Sequence, residues 1–353
     1  MLFNRAMTKS KRFTELSLQE QKALFERAAA EVLPQWQIDD YSIGWISYST
    51  NAVFHVKMAS GPYILRLHVP GRVAEDRLRS ELMWLRAIRQ GTNLLAPLPV
   101  PLSDGRLFIS YSPPMLPSAS QVHCVLFERL KGEIKPARAL SVEDVRRIGV
   151  YLGILHRDAQ FDPPADFDRH RLDFEALFDA DSPYYVARES ELLTREQSRI
   201  FQAVAGRIRQ MMTCLDHDGE SFGLIHADLL AKNVIFADAS VAALDFEYCC
   251  WGYFLYDLAP LLWELKGERS ANYIELEEAL WTSYISARAE ADDQRDRLET
   301  FIAARQLLSC RWLLQNIRHP NVREVAPRLL QARVEELKGY LAIGVLQRRT
   351  ATL

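Results

Sequence analysis

The pattern of apolar and polar residues predicts a small β-sheet in the amino-terminal part of the chain. Short apolar segments with interleaved polar residues are typical of strands that bury one face. Ser60-Gly61-Pro62 separates two of these segments and has the residue types of a tight turn. The predicted strands are Tyr41–Ile46, Ala52–Ala59, Tyr63–His68, Leu107–Ser110 and Val122–Phe127.

Apolar residues at helical spacing predict two helices in the same part of the chain. The segment Leu18–Leu33 is periodic and ends at Pro34, which cannot continue a helix. The segment Val73–Gln90 carries leucines on one face, and Gly91 follows it as a helix-ending glycine. The amino-terminal part is therefore expected to form a small sheet that carries a helix after its third strand.

After Gly132 the pattern becomes mainly helical. Ser141-Val-Glu-Asp144 is a capping box with Asp in its last position, so a helix is expected to follow it. Leu192–Leu215 is also predicted to be helical, as is most of the chain from Leu258 onwards. This order predicts a bilobal α+β fold, with a small antiparallel sheet lobe first and a larger, mostly helical lobe second.

The composition is that of an ordinary globular protein and does not favour a nucleic-acid or membrane partner. Of the 353 residues 48% are apolar and 25% charged, and the net charge of -3 creates no strong field. The sequence starts without a secretory apolar run, and five cysteines, an odd number, favour thiols in a reducing cytoplasm. Cys249 and Cys250 are expected to be small buried hydrophobic residues rather than a redox pair.

The segment from His226 to Asn233, followed by Asp245-Phe246, carries the strongest chemical signal. Its form is His-x-Asp-x-x-x-x-Asn with an Asp-Phe dipeptide further on, which is the spacing of a phosphoryl-transfer site. Two short apolar segments with turn residues between them lie between Asn233 and Asp245. They predict a β-hairpin that brings these two side chains together.

Each residue of this segment has a candidate role. Asp228 is the candidate base, which would orient the acceptor hydroxyl and take its proton. Asn233 and Asp245 offer the hard oxygen ligands that Mg²⁺ prefers, and His226 is expected to fix the loop backbone. Taken singly, each residue is equally consistent with a surface turn capped by Asp or Asn, but the combined spacing favours a site.

A charged pair upstream is a candidate for binding nucleotide phosphates. Arg66 lies in the predicted strand Tyr63–His68, where a cation would contact the α- and β-phosphates. Glu81 lies on the next helix and is expected to pair with Arg66. The alternative is an exposed arginine on a strand and an unrelated, solvated glutamate on a helix.

Two further stretches are weaker candidates for nucleotide binding. Ser49, Thr50 and Asn51 lie between the first two strands and have hydroxyl and amide groups for phosphates, but an ordinary hairpin turn is nearly as consistent. Glu128 and Leu130 follow the fifth strand, where a carbonyl and an N–H group would face an adenine edge. A plain linker is the alternative for this second stretch.

Together these residues resemble the aminoglycoside phosphotransferase/choline kinase family, the small-molecule branch of the protein-kinase-like fold. The likeness extends from about Tyr41 to Trp312 and includes Leu152-Gly-Ile-Leu-His156 and the stretch from Tyr253 to Asp257. The resemblance implies ATP and Mg²⁺ as cofactors, a hydroxylated small-molecule acceptor, residues 1–128 as the nucleotide-binding lobe and residues 129–353 as the lobe with the catalytic hairpin and acceptor site.

The resemblance also assigns roles to individual residues. Asp228 would be the base, with Asn233 and Asp245 as the Mg²⁺ ligands. Asp257 would brace the catalytic loop through backbone hydrogen bonds, although a cap of the helix starting at Leu258 fits the same position. The chain departs from the family in having Ala227 where glycine is common, Arg66 for the usual lysine, and no glycine between Ser47 and Asn51.

The acceptor is left open by the sequence. Eight acidic residues between Asp158 and Asp181 would attract a cation, but such a stretch is more often a solvated loop. A quaternary ammonium would suit an aromatic box, but aromatic residues at helical spacing more often fill a core. The residues considered for the box are Trp251, Tyr253, Trp263, Trp281 and Trp312. Aminoglycosides, choline or amino alcohols, and homoserine-like molecules remain candidates. The alternatives are a Ser/Thr protein kinase of the same architecture and a nucleotide-binding pseudokinase scaffold.

Overall fold

The computed structural model describes residues 12–59, 61–158, 161–177, 182, 184–215, 219–238, 240–268, 272–317, 319 and 322–349. The chain divides into two compact units. One contains the chain up to Met83 together with Pro97–Arg129, and the other contains Trp84–Ala96 together with the chain from Leu130 onwards.

An antiparallel sheet of five strands forms the centre of the first unit. Its strands are β1 (Ser42–Tyr48), β2 (Asn51–Met58), β3 (Gly61–His68), β4 (Ile109–Tyr111) and β5 (Val122–Glu128), and their spatial order is β1-β2-β3-β5-β4. All five predicted strands are present, with small shifts at their ends. The shifts are at most two residues, and β1 extends to Tyr48, so that Ser49 and Thr50 alone connect it to β2.

Two helices complete this part of the chain, α1 (Leu18–Val32) and α2 (Glu75–Gly91). Ser17 begins α1 with a capping box, because its hydroxyl accepts the N–H of Glu20 at 3.2 Å and the Glu20 carboxylate accepts the N–H of Ser17 at 2.7 Å. The apolar face of α1, including Phe25, is buried in the same core as the sheet residue Leu65.

Eight α-helices form most of the regular secondary structure in the described part of the second unit. The capping box predicted at Ser141 is confirmed, with the N–H of Asp144 donating to the Ser141 hydroxyl at 3.1 Å. The predicted helix Leu192–Leu215 is instead divided, because Thr194 caps a new helix with Gln197. The helices are α3 (Val142–Asp158), α4 (Phe174–Leu177), α5 (Glu189–Leu192), α6 (Arg195–Met212), α7 (Ala259–Gly267), α8 (Tyr273–Ala287), α9 (Leu298–Gln315) and α10 (Ala326–Ile343).

Five short strands complete the second unit. They are β6 (Arg171–Leu172), β7 (Phe222–Ile225), β8 (Val234–Ala237), β9 (Ser240–Ala243) and β10 (Cys250–Tyr253). The predicted hairpin is confirmed as β8 and β9, in which Val234 pairs with Ala243. The strands β6, β10 and β7 form a separate three-stranded sheet in that order. The sequence pattern did not predict this sheet.

Four of the five cysteines are buried, and Cys214 is exposed. Burial raises the pKa of the Cys124 thiol and of the Cys250 thiol and raises the pKa of Cys310 to about 12, so these thiols stay protonated near neutral pH. This agrees with the expectation that Cys249 and Cys250 act as small hydrophobic residues. Across the described ranges, no helix is both long and apolar enough to cross a bilayer.

Candidate active site

A buried carboxylate holds the loop that follows β7. Asp257 is fully buried, and its two oxygens accept the backbone N–H groups of His226 at 2.7 Å and Ala227 at 2.5 Å. Ala227 has a φ of 67°, in the left-handed region that residues other than glycine rarely adopt. The two backbone hydrogen bonds confirm the predicted brace, and the N-cap residue of α7, Leu258, makes no side-chain capping bond.

His156 of α3 extends this brace into the helical core. Its Nε2 lies 3.1 Å from the Asp257 carboxylate, and its Nδ1 lies 3.0 Å from the Tyr284 hydroxyl of α8. Burial lowers the pKa of His156, although the hydrogen bond with Asp257 acts in the opposite direction. The neutral ring therefore donates to Asp257 and accepts from Tyr284, which fixes the carboxylate that holds the loop.

His226 connects the two halves of the catalytic segment. Its Nδ1 accepts the N–H of Asp228 at 3.2 Å, so its Nε2 carries the proton and donates to the carbonyl of Leu244 at 2.8 Å. The ring of Phe246 packs against the imidazole, with 4.5 Å between the ring centroids. The structural role expected for His226 is confirmed.

The β8–β9 hairpin brings the proposed metal ligands to the same end of the hairpin. Asn233 precedes β8, and its carbonyl accepts the N–H of Leu244, the neighbour of Asp245, at 2.8 Å. The side-chain Nδ2 of Asn233 donates to the Asp228 carbonyl at 2.9 Å, which turns its Oδ1 away from that carbonyl. Backbone and side-chain bonds thus connect Asp228, Asn233 and the residue before Asp245.

The oxygen atoms of Asn233 and Asp245 suit a Mg²⁺ ion. Mg²⁺ is usually held by one or two protein oxygens, with phosphate oxygens and water in its other positions. Within the ranges that the structure covers, no group of three or more His, Cys, Asp or Glu side chains forms a closed metal site. The donor set therefore fits a metal ion that binds together with nucleotide phosphates.

Arg305 of α9 contacts the proposed base, and the sequence motifs did not include it. Its Nη2 donates to Asp228 Oδ1 at 2.5 Å, across a separation of 77 residues. The side chains of Arg305 and Asp228 are 9% and 15% exposed. Burial opposes the charge on Arg305, but Asp228 and the nearby hydroxyls of Tyr256 and Tyr184 raise its pKa above its ordinary value.

Arg66 and Glu81 form the predicted pair in the first unit. Arg66 Nη2 donates to Glu81 Oε1 at 2.7 Å, and the two side chains are 8% and 1% exposed. The guanidinium also lies over the ring of Phe127, at 5.1 Å from its centroid. These contacts hold Arg66 in one orientation, and its assignment to nucleotide phosphates stays a prediction.

The connection between β1 and β2 has the backbone of a hairpin turn. The N–H of Ser49 donates to the carbonyl of Asn51 at 3.2 Å, with Thr50 between them. Asn51 is buried at the start of β2, where it pairs with His68 of β3, whereas Ser49 is exposed. Phosphate binding by Ser49, Thr50 and Asn51 stays a prediction.

The proposed adenine contacts lie where the chain passes from one unit to the next. Glu128 ends β5, and its N–H donates to the carbonyl of Leu98 at 3.0 Å. Leu130 is the first residue of the second unit in this region. Gly132 follows with a φ of 129°, and a Cβ there would collide with the carbonyl of Phe236. Adenine binding by Glu128 and Leu130 stays a prediction.

The acidic stretch considered for a cationic acceptor is partly neutralised by the chain itself. Asp158 pairs with Arg157 at 2.6 Å, and Glu175 pairs with Arg209 at 3.3 Å. Asp179 lies outside the described residues. Asp173 pairs with Arg171 at 2.6 Å, and Asp181 also lies outside the described residues. The other acidic residues of the stretch are exposed, namely Asp162, Asp166 and Asp168.

Two of the aromatic residues considered for a quaternary ammonium have arginines of the chain against their rings. Trp263 is 2% exposed and has Arg305, Arg333 and Arg348 against its ring, at 5.3, 5.3 and 3.6 Å from the centroid. Trp281 is also buried and lies against Arg295, at 5.9 Å. These tryptophans are therefore part of the core, as expected.

A sheet unit with a buried Arg–Glu pair and a helical unit with the His-x-Asp-x-x-x-x-Asn segment define a phosphotransferase of the protein-kinase-like fold. The chain belongs to the phosphotransferase enzyme family, whose model matches residues 47–301. It is therefore a phosphotransferase, and the family resemblance noted from the sequence is confirmed.

Individual relatives are distant but similar in fold. Amicoumacin kinase from Bacillus subtilis (strain 168) is 21% identical over 253 residues, which are 68% of this chain and 68% of that protein. A microcompartment-associated aminopropanol kinase superposes with a TM-score of 0.75 at 23% identity, over 91% of this chain and 99% of the other. Amicoumacin kinase hAmiN, in complex with AMP-PNP, Ca²⁺ and Ami, has a TM-score of 0.71 at 17% identity, covering 90% and 96%. These similarities confirm the α+β protein-kinase-like fold.

Proposed function

We propose that this protein is a kinase that uses ATP and Mg²⁺ to phosphorylate a hydroxyl group of a small polar molecule. The observation that carries the proposal is the bonded arrangement of Asp228, Asn233 and the residue before Asp245. By the family resemblance these residues would supply a base and two metal ligands. The AMP-PNP and Ca²⁺ bound by one structural relative support a nucleotide and a divalent cation as cofactors.

The chemistry follows from the atoms that surround Asp228. Its Oδ1 binds Arg305, and we assign the acceptor hydroxyl to its Oδ2. The hydroxyl oxygen bonds to the γ-phosphorus, its proton passes to Asp228, and the bond from phosphorus to the bridging oxygen of ADP breaks. Bound Mg²⁺ would supply electrostatic stabilisation to the phosphate oxygens. Asp257 and His226 keep Asp228 in place without touching the substrate.

The remaining assignments divide the chain into two functional lobes. Residues 1–128 would bind the nucleotide, with Arg66, held by Glu81, at the α- and β-phosphates. Ser49, Thr50 and Asn51 would contact the phosphates as well, and Glu128 and Leu130 the adenine. Residues 129–353 would bind the acceptor, which is an aminoglycoside, a choline-like amino alcohol or a homoserine-like molecule. A cytoplasmic location completes the proposal.

The test is an assay of ADP release with Mg²⁺-ATP and a panel of hydroxylated amines, amino acids and sugars. We expect turnover with at least one acceptor and none after removal of divalent cations with EDTA. Asp228→Asn keeps the shape of the side chain but cannot take a proton, so kcat should fall by about 100- to 10,000-fold. Asp166→Asn, at an exposed position, is the matched control and should keep wild-type turnover.

The same assay separates the proposal from its alternatives. An Asp228→Asn variant with the wild-type kcat would show that Asp228 is not the base. Phosphate incorporation into generic protein substrates, with no turnover of any small molecule, would instead identify a protein kinase.

A further inference from the structure

A buried cation is bonded directly to the proposed catalytic base. Arg305 is 8% exposed as a residue, and its Nη2 donates to Asp228 Oδ1 at 2.5 Å. An ammonium group next to Asp228 would lie close to this guanidinium, and like charges in a poorly solvated site repel strongly. An acceptor whose only charge is positive is therefore disfavoured near Arg305.

Arg305 and a neighbouring tyrosine have hydrogen-bonding capacity that no described residue uses. Arg305 Nε and the Tyr184 hydroxyl are both buried, and neither atom has a hydrogen-bond partner within the described ranges. The guanidinium of Arg305 does have a second neighbour besides Asp228, because the Tyr256 hydroxyl, like Asp228, raises its pKa against the effect of burial. A buried donor that is left without a partner loses its hydrogen bonds to water and gains none, so such groups are uncommon without a ligand. Tyr184 is fixed by stacking on Tyr248, with 5.5 Å between centroids and an angle of 26°. Burial raises the pKa of the Tyr184 hydroxyl, and the charges of Arg305 and Asp228 also affect this pKa, so Tyr184 lies near both groups.

The surroundings of Arg305 are rich in positive charge. Arg333 and Arg348, which are 2% and 5% exposed, lie with Arg305 around Trp263. Burial, and then repulsion from Arg333, lower the pKa of Arg348 to about 9.

The acidic groups nearby are already engaged. The Glu336 carboxylate accepts from Gln306 Nε2 at 2.5 Å and lies 4.0 Å from Arg348. The Glu264 carboxylate accepts the N–H of Ala231 at 2.7 Å, and burial raises the pKa of Glu264. An anion that reaches Arg305 would therefore meet a favourable potential.

We propose that Arg305 is a specificity-determining residue that binds a carboxylate of the acceptor, so that the substrate is a hydroxy acid or a hydroxy amino acid. The inference rests on the proposed function and narrows its acceptor. Arg305 keeps Nη2 on Asp228 and offers Nε to the carboxylate, with the Tyr184 hydroxyl as a second donor. The acceptor hydroxyl is then placed at Asp228 Oδ2, because one guanidinium holds both the base and the substrate.

The test uses four acceptors that share a hydroxylated three-carbon chain and differ in charge. L-homoserine carries a carboxylate and an ammonium group, and γ-hydroxybutyrate carries only the carboxylate. Aminopropanol carries only the ammonium group, and propanol carries neither. Larger hydroxylated compounds of the same four charge classes extend the panel. We expect kcat/KM to be about 10- to 100-fold higher for acceptors with a carboxylate than for their counterparts without one.

The variants separate recognition of the acceptor from support of the base. In Arg305→Gln the ratio of kcat/KM between acidic and non-acidic acceptors should fall towards one, whereas Arg305→Lys should keep part of it. Tyr184→Phe, a milder change, should lower the ratio several-fold. Arg311→Gln is the control on the same helix, because Arg311 is equally buried but pairs with Glu189 at 2.6 Å. It should leave the ratio unchanged.

Three other outcomes of these measurements would contradict the inference. If Arg305 binds the transferred phosphate instead, Arg305→Gln will lower kcat equally for all acceptors and leave the ratio as in the wild type. Preference for aminopropanol over both acids would overturn the inference and leave the proposed function standing. No transfer to any acceptor class would overturn both.

Discussion

At the scale of single residues, the catalytic loop combines an unfavourable backbone conformation with a charged group that holds it. A left-handed conformation costs a residue with a Cβ about 1–2 kcal/mol, and Ala227 adopts it. Asp257 accepts two backbone N–H groups there, and each hydrogen bond to a charged acceptor contributes about 1.5–3 kcal/mol. The carboxylate therefore outweighs the strain and keeps Asp228 at the end of a fixed loop.

Ala227→Gly should stabilise the protein. Glycine removes the steric penalty of the left-handed conformation but adds freedom to the unfolded chain, so the net gain should be about 0.5–1 kcal/mol. Urea denaturation followed by tryptophan fluorescence measures this free energy of unfolding.

Ala231→Gly is the control for this change within the same loop. Ala231 is also fully buried, but it lies in the turn Ala231–Asn233 and has no positive φ. Its replacement should destabilise the protein. Equal effects of the two glycines would contradict the account of strain at Ala227.

The residues that the sequence could identify are those close together in the chain. The spacing of His226, Asp228, Asn233 and Asp245 depends on one loop and one hairpin, and local patterns specify both. Arg305 could not be identified in this way, because its contact with Asp228 spans 77 residues and it lies in α9, far outside the motif.

At the scale of elements, α3 and α8 pack closely because two glycines of α3 face α8. A Cβ on Gly149 would lie 2.6 Å from the carbonyl of Leu280, and one on Gly153 would lie 2.6 Å from the Ala287 Cβ and 2.8 Å from the carbonyl of Tyr284. Such distances are too short for carbon atoms in contact. Close packing here also positions Tyr284 against His156, and hence supports Asp257.

Gly149→Ala and Gly153→Ala should each destabilise the protein by about 1–3 kcal/mol, because the helices must separate to admit the methyl group. Thermal or urea unfolding measures the loss. Gly153→Ala should also lower kcat, since a shift of Tyr284 disturbs the hydrogen bonds of His156 and Asp257.

Gly206→Ala in α6 and Gly339→Ala in α10 are matched controls in helices. A Cβ at either position meets no described atom within 4 Å. Alanine is the better helix former by about 0.5–1 kcal/mol, so both controls should be stabilising. A gain of stability from Gly149→Ala would show that the close approach of α3 and α8 is not required.

Elements with a strong local pattern were predicted well, and those that depend on distant partners were not. The strands of the first unit and the β8–β9 hairpin alternate clearly and have turn residues between them. The sheet of β6, β10 and β7 was missed, because β6 has two residues and pairs with a strand about 80 residues later. The break before α6 was missed although Thr194 and Gln197 form a capping box.

At the scale of the whole molecule, both units contain buried histidines that resist protonation. Burial, and then the charge of Arg66, hold the pKa of His68 well below its ordinary value in the first unit. Burial likewise lowers the pKa of His156 in the second unit. In the unfolded chain both imidazole rings have a pKa of about 6.5 and take up protons below it.

The free energy of unfolding should therefore fall as the pH decreases below about 6.5. The unfolded state binds protons that the folded state does not, so each such histidine costs about 1.4 kcal/mol per pH unit. Urea unfolding between about pH 8 and pH 5 measures this slope, in a range where most carboxylates stay ionised.

His68→Gln should reduce the slope by the contribution of one proton. Gln cannot titrate, so its variant should lose less stability on acidification than the wild type does. A wild-type stability that does not change from about pH 7 to about pH 5 would contradict the assignment of buried, neutral histidines.

The order of a sheet part followed by a helical part was predictable from periodicity alone, and the protein-kinase-like fold confirms it. The grouping of Trp84–Ala96 with the second unit could not be predicted from periodicity. It depends on contacts distant in sequence, such as the Tyr151 hydroxyl donating to the carbonyl of Leu95 at 3.0 Å and the bridge between Leu95 and Ala242.

The distribution of thiols has a practical consequence. Cys214 follows α6 at the surface, while the other cysteines are enclosed by packed side chains. A maleimide dye added to the native protein should thus attach at a single position, without prior removal of other cysteines. The fluorescence of this dye could then be used to follow substrate binding in solution, with no substitution in the sequence.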